Sequence, residues 1–310
     1  MTMDASLLYD HVLPEFRFNL ELSAAERIEI CRHDFWIDTP KFALMFECIS
    51  HMLYTHNQIQ SSCIFIHGAG GDGKSAAWHR LKFLSANSDR KMVFIELTEN
   101  TNRFKLHDRL LEAFGIEVGR RSTADKEDLI LKYIRANNIC AIVIDELNDA
   151  LLQPYAQKRT LLSLLRNLSG TLKLCVIAFG NTEACSILML DRIIDRRFVQ
   201  FAIKDWELGQ DFVDFLATYE AHLPLKLKSD LACPEIRTLI HTESYKIMDN
   251  VVKIMKCLAM DAIDSGVERI TLEQFPRLRD IAMRFGFNLH IPKIDRNADI
   301  SKQEQPWLPA

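Results

Sequence analysis

The 310-residue sequence predicts an α/β fold, a five-stranded parallel sheet covered by helices and followed by a helical region. Three observations lead there. Short apolar runs alternate with helix-spaced segments between residues 63 and 203. One of those runs leads into a glycine-rich turn, and another ends in two acids. From about Glu207 to Phe285 the pattern turns helical throughout.

The elements follow in order. Residues 1–55 form an N-terminal helical segment, in which Ser23 and Glu26 make a capping box ahead of a helix through His33. Phe35-Trp36-Ile37-Asp38-Thr39-Pro40 breaks that helix, and the next starts at Lys41. Residues 56–205 form the α/β core. Its strands are Cys63–His67, Met92–Leu97, Cys140–Asp145, Leu172–Phe179 and Phe198–Ile203. Helices over Ser75–Leu84, Phe104–Phe114, Lys126–Asn137 and Arg159–Leu168 lie between them. Residues 206–288 form a helical bundle. The tail, 289–310, is polar and proline-rich, with Trp307 as a candidate anchor for a partner.

Gly68-Ala69-Gly70-Gly71-Asp72-Gly73-Lys74-Ser75 fits G-x-x-x-x-G-K-[ST], a loop that cradles phosphates. Glycines let the backbone turn tightly, so that successive N–H groups converge on phosphate oxygens. Lys74 reaches the β- and γ-phosphates of a nucleotide such as ATP, the Ser75 hydroxyl ligates Mg²⁺, and Ala76 continues the helix whose N-terminus faces the anion. Trp36 and Ile37 lie in an apolar patch that either walls the base or is simply core.

About 70 residues after this loop, Ile142-Val143-Ile144-Asp145-Glu146 ends a buried strand in two carboxylates. Asp145 at the strand tip is placed to hold Mg²⁺, and Glu146 to polarise an attacking water as general base. Together the two motifs predict a nucleoside-triphosphate hydrolase.

Composition narrows the setting. Of the residues 48% are hydrophobic and 26% charged, an ordinary globular balance, and no run is long enough to span a membrane. Eight cysteines lack any C-x-x-C spacing, which points away from zinc and disulfides and toward a reducing cytoplasm. The net charge of −4 gives no general affinity for nucleic acid, so any DNA contact needs a local basic stripe.

With the acids on the third of five strands and a helical lid beyond, the chain resembles an AAA+ ATPase. Asn181, in Phe179-Gly180-Asn181-Thr182-Glu183, matches the polar residue that positions the attacking water in that family. Asp195-Arg196-Arg197-Phe198 precedes the fifth strand, where the family carries an arginine that reaches a neighbouring subunit's γ-phosphate; Arg197 is the better match and Arg196 the second. The lid's own sensor has two candidates, Lys246 and Lys253.

Within AAA+ the sequence is most similar to the TniB/TnsC-like transposition regulators. The similarity runs from about residue 22 to 275 through Ala25-Glu26-Arg27-Ile28, Arg32–Pro40, the phosphate loop, Ile144-Asp145-Glu146-Leu147, Phe179–Ala184, Arg197-Phe198 and Ala262–Ile270. It departs from the family in Ser75, where threonine is usual, and in Leu147-Asn148-Asp149, where aromatic residues or His are common. The resemblance implies a bacterial, nucleoid-associated protein that self-associates into a ring or helical filament on duplex DNA when ATP is bound. It further implies a DDE transposase and a TniQ-like targeting protein as partners, with hydrolysis driving disassembly. Arg103, Lys105, Arg120 and Arg121 are the candidate DNA contacts, solvated surface charge being the plainer reading of each. A helicase-loader-like ATPase and a P-loop small-molecule kinase are the alternatives.

Overall fold

Five apolar runs lie side by side as a parallel sheet in the order β2-β3-β4-β1-β5, in a computed structural model that describes residues 9–54, 61–97, 106–229, 231 and 233–290. The strands are β1 (Cys63–His67), β2 (Lys91–Glu96), β3 (Ile139–Asp145), β4 (Cys175–Gly180) and β5 (Phe198–Ala202). Strand side chains alternate between faces, and the inner strands are apolar up to their last residues, His67 in β1 and Asp145 in β3, because both faces are covered. Ile142 and Ile144 of β3, Phe65 of β1 and Val176 of β4 meet one set of helices: α4 (Leu106–Ala113), α5 (Thr123–Asn137) and α6 (Tyr155–Gly170). Ala141, Val143, Ile64, Ile66 and Ile177 meet the other set, α2 (Pro40–Tyr54) and α3 (Lys74–Ala86), through Phe42, Met45, Ile49, Ala77 and Leu81.

By its contacts the chain groups into two compact units. His33–Tyr219 is one; residues up to Arg32, together with those from Glu220 onward, are the other. These limits fall elsewhere than the 55/56 and 205/206 divisions expected from composition. The physical reason is α1 (Ala24–Arg32), which packs in the same unit as α11 (Met248–Asp264). The Ser23 capping box forms as expected: its Oγ donates to Glu26 Oε2 at 2.7 Å and accepts from the Glu26 N–H at 3.4 Å. Further along α1, Arg27 is buried at 3% exposure and donates to both oxygens of Glu268 at 2.6 Å. A contact between residues 241 apart leaves no trace in local periodicity.

α11 is buried on most of its circumference from Val251 to Ile263, as a central helix must be. Its buried polar residues are each satisfied. Lys256 donates to the Arg32 carbonyl at 2.8 Å, and Asp261 accepts from Gln274 and Arg284 at 2.8 and 2.9 Å. Beyond β4 the sheet unit adds two short helices, α7 (Cys185–Met189) and α8 (Arg192–Asp195), and the helical reading of the C-terminal region holds for α9 (Gln210–Glu220), α10 (Pro234–Glu243), α11 and α12 (Leu278–Arg284). The eight cysteines are free thiols, and burial pushes those of Cys31 and Cys257 up to about 12.

Candidate functional site

The site forms at the carboxyl ends of the strands. β1 delivers the chain into the 68–73 loop, which turns into α3. Gly71 and Gly73 hold φ of 87° and 94°, values that favour glycine. Gly68 is required for another reason. A Cβ there would lie 2.2 Å from Asp72 Oδ2 and 2.9 Å from the Ile203 carbonyl, whereas one at Gly70 would meet nothing within 4 Å. Gly73 caps α3 without a side-chain acceptor, so the first-turn N–H groups are left for an anion. Lys74 donates its ammonium to the carbonyls of Gly68, at 3.0 Å, and Ala69, and so stays over the loop. Ser75 and Ala76 are exposed in the first turn of α3. This cradle of open N–H groups beside a cation has the chemistry to hold a nucleotide's phosphates.

β3 sits two strands from β1, with β4 between them. Its tip carries Asp145, half-buried, whose Oδ1 accepts from the Glu146 N–H at 2.9 Å. Burial pushes the Asp145 carboxyl up, and the nearby carboxylates of Glu146 and Glu96 add to that, against the Glu146 N–H and Lys74. Burial likewise pushes Lys74 down, against the attraction of Asp72, Glu146 and Asp145. Asp145, Asp72 and Lys74 therefore share a poorly solvated corner, with the exposed Glu146 beside it. Among the described residues no three His, Cys, Asp or Glu side chains form a metal cluster. Mg²⁺ held largely by phosphate and water needs only one or two protein oxygens, and Asp145 with Ser75 fits that demand.

Glu146 is exposed and left-handed, at φ 54° and ψ 44°, which turns the chain sharply off the strand into a 3₁₀ turn over Leu147–Leu152. Asn181 follows β4, and its Oδ1 caps the short turn Thr182–Ala184 by accepting from the Ala184 N–H at 3.0 Å. Two residues that sequence reasoning left out join it. Asn148 accepts from the Asn181 N–H at 3.3 Å, and His67 sits 3.4 Å from the Thr182 hydroxyl through Nδ1. Burial and the Lys74 charge hold His67 below its usual range. The only sequence signal for Asn148 was its departure from the family's usual residue.

Ile37 is buried, and the half-buried Trp36 packs on Phe42 and Phe46 with ring centroids 5.1 and 5.6 Å away, against the core beneath α2. Arg196 and Arg197 precede β5 at the opposite edge of the sheet, where the Cys63 N–H donates to the Arg197 carbonyl at 3.0 Å. The length of β1, about 13 Å, separates that edge from the phosphate loop. The Arg197 guanidinium donates to the Arg166 carbonyl at 3.1 Å and to Ser169 Oγ at 2.8 Å at the end of α6, and the exposed Arg196 donates from Nε to the Arg192 carbonyl at 3.2 Å. Lys253 pairs with Asp249, and Lys246 holds φ 66° in a turn. Arg120 and Arg121 are exposed beside Gly119, Arg121 folding back on the Val118 carbonyl at 3.0 Å. Arg103, Lys105 and Trp307 lie outside the described residues.

A family model described as "Bacterial TniB protein" matches residues 27–208, more than half of the chain. The chain belongs to the TniB family. Among curated proteins no match is found. Solved structures similar to this TniB-family chain include the Aeropyrum pernix ORC1 protein in complex with DNA. That pair is 14% identical with a TM-score of 0.57, over 82% of this chain and 68% of that one. Cdc6p from Pyrobaculum aerophilum is 15% identical with a TM-score of 0.56, over 78% and 67%. Drosophila ORC bound to DNA is 13% identical with a TM-score of 0.54, over 90% and 68%. At these identities the likeness is one of fold, and the fold is that of the AAA+ P-loop ATPases. Among the described residues no helix is long and apolar enough to cross a membrane.

Proposed function

We propose that this protein is an ATP-dependent regulator of DNA transposition. In this reading it binds and hydrolyses ATP, assembles on duplex DNA, marks a target site and recruits or activates a DDE transposase, with a TniQ-like partner and hydrolysis-driven disassembly. The observation that carries the ATPase part is the phosphate loop and the Asp145–Glu146 tip together at one edge of an AAA+ sheet. The family match over 27–208 supports the transposition part, and the DNA-bound ORC structures of the same fold make DNA a reasonable substrate to test.

The residues divide the work. Loop N–H groups and Lys74 hold the phosphates, and Lys74 neutralises charge as it builds on the γ-phosphate. Asp145 and Ser75 would hold Mg²⁺, which supplies electrostatic neutralisation of the phosphates when bound. Glu146 accepts the proton of the attacking water, and Asn181 orients it. Arg196, with Arg197 second, acts on the site of another copy, since the sheet's length keeps both from their own phosphate loop. Arg120 and Arg121, and by sequence Arg103 and Lys105, grip the DNA backbone, so binding is sequence-tolerant and weakens with salt.

Electron microscopy of the protein with duplex DNA, with and without a non-hydrolysable ATP analogue, tests the reading. Rings or filaments are expected only with both ligands, persisting with ATP in Glu146→Gln and disappearing in Arg196→Ala. Single particles under every condition would sink the assembly reading. Undiminished turnover in Glu146→Gln would sink the assignment of the base.

A further inference from the structure

The acid-bearing tip of β3 and the Asn181 turn after β4 belong to neighbouring strands, and one side chain joins them. Asn148 lies two residues beyond Glu146, half-buried in the 3₁₀ turn closed by the Asp149 N–H donating to the Glu146 carbonyl at 3.0 Å. Its Oδ1 accepts from the Asn181 backbone N–H at 3.3 Å, and its Nδ2 donates to Asp149 Oδ1 at 3.1 Å. The orientation of this amide is unambiguous, because a backbone N–H only donates and a carboxylate only accepts. Asn181 spends its own Oδ1 on the Ala184 N–H, which leaves its Nδ2 as the end able to donate. On its other side the same turn meets His67, the last residue of β1, through Thr182. The Asn181–Thr182 turn is thus tied to the strand that carries the acids and to the strand that enters the phosphate loop.

We propose that Asn148 is a positioning residue for nucleotide hydrolysis, setting the Asn181 amide relative to the Glu146 carboxylate through the Asn181 backbone. The proposal rests on the ATPase reading above. It gives a part to a residue that neither motif includes. A small displacement of a water-orienting group acts on the chemical step and leaves ground-state binding alone.

The test is steady-state ATP turnover with nucleotide binding measured separately by a fluorescent ATP analogue. The variants are Asn148→Ala, Asn148→Leu and the double exchange Asn148→Asp with Asp149→Asn. The exchange keeps an acceptor facing the Asn181 N–H and reverses donor and acceptor between residues 148 and 149. Asn148→Ala and Asn148→Leu are expected to lower kcat about tenfold with KM and binding within about twofold, and the exchange to restore kcat. Unchanged kcat, equal losses in kcat and binding, or no recovery in the exchange would each overturn the proposal. Glu146→Gln serves as the control that separates the two levels. If it turns over ATP like the parent, Glu146 is not the base and this proposal falls with that assignment; if the parent itself turns over no ATP, the ATPase reading fails. If only the Asn148 variants behave unexpectedly, the ATPase reading stands and the positioning role alone is lost.

Discussion

Arg27 and Glu268 in the helical unit, and Lys74 and Asp145 at the edge of the sheet, are all charges drawn partly out of water, yet only the first two are joined at contact distance. The hydrogen bonds from Arg27 hold the Glu268 carboxyl below its ordinary range, and Arg27 is held above its own for the same reason. At the sheet edge burial dominates instead, pushing Asp145 and Asp72 up and Lys74 down. Asp72 is 3% exposed and its Oδ1 has no hydrogen-bond partner. The difference separates two uses of buried charge. A pair joined by two hydrogen bonds holds architecture even with the buried Arg27 Nε left over, whereas charges without a direct counter-ion cost stability and are kept where a charged ligand completes them.

The comparison can be broken or sharpened, starting with the largest effect. Arg27→Ala strands Glu268 without its partner, so chemical denaturation should show a loss of about 3–5 kcal/mol. Gly68→Ala forces a Cβ against Asp72 and the Ile203 backbone. It should lose about 1–3 kcal/mol and weaken nucleotide binding, while Gly70→Ala, with open space, leaves the melting midpoint unchanged. Asp145→Asn removes an unpaired buried charge, so the nucleotide-free protein should match the parent or exceed it by up to about 1 kcal/mol as Mg²⁺-dependent turnover collapses. A clear destabilisation by Asp145→Asn would erase the contrast.

The smallest effect is in pH. The folded-state value of Glu268 is depressed, so its stabilisation is complete above the unfolded value near 4.5 and is lost as pH falls through the lower folded value. Asp145 and Asp72 have raised folded-state values, so their cost is full above those values and is relieved as pH falls. Stability of the parent relative to Glu268→Gln should therefore be flat near neutrality and shrink below about pH 4.5. The same difference taken against Asp145→Asn should move the opposite way.

Local chemistry made the sheet unit legible. Strands buried on both faces read as unbroken apolar runs, and a loop that must approach phosphate closely declares itself by glycine. Errors there were at element ends: α5 begins at Thr123 because Ser122 and Asp125 form a capping box, three residues ahead of the expected Lys126. What stayed hidden was set by contacts distant in the chain. α1 belongs with α11 through Lys256 and the Arg32 carbonyl, and with the turn after α11 through Arg27 and Glu268. Arg197 ends against Ser169 and the Arg166 carbonyl of a different helix, contacts that its own neighbourhood in the sequence does not announce. Asn148 fits no motif, since its role depends on a backbone N–H 33 residues away.

Under the proposed function, the placement of Arg196 at the opposite end of the strands from Lys74 would make each subunit a directional object, with a socket at one end and a plug at the other. Copies would then join head to tail, and any row that does not close has two unlike ends. At one end a socket stays unplugged and its ATP outlasts the rest; at the other a plug points into solvent. Such a row would age from the inside, its interior sites firing first, and its lifetime would depend on length and on which end a partner caps.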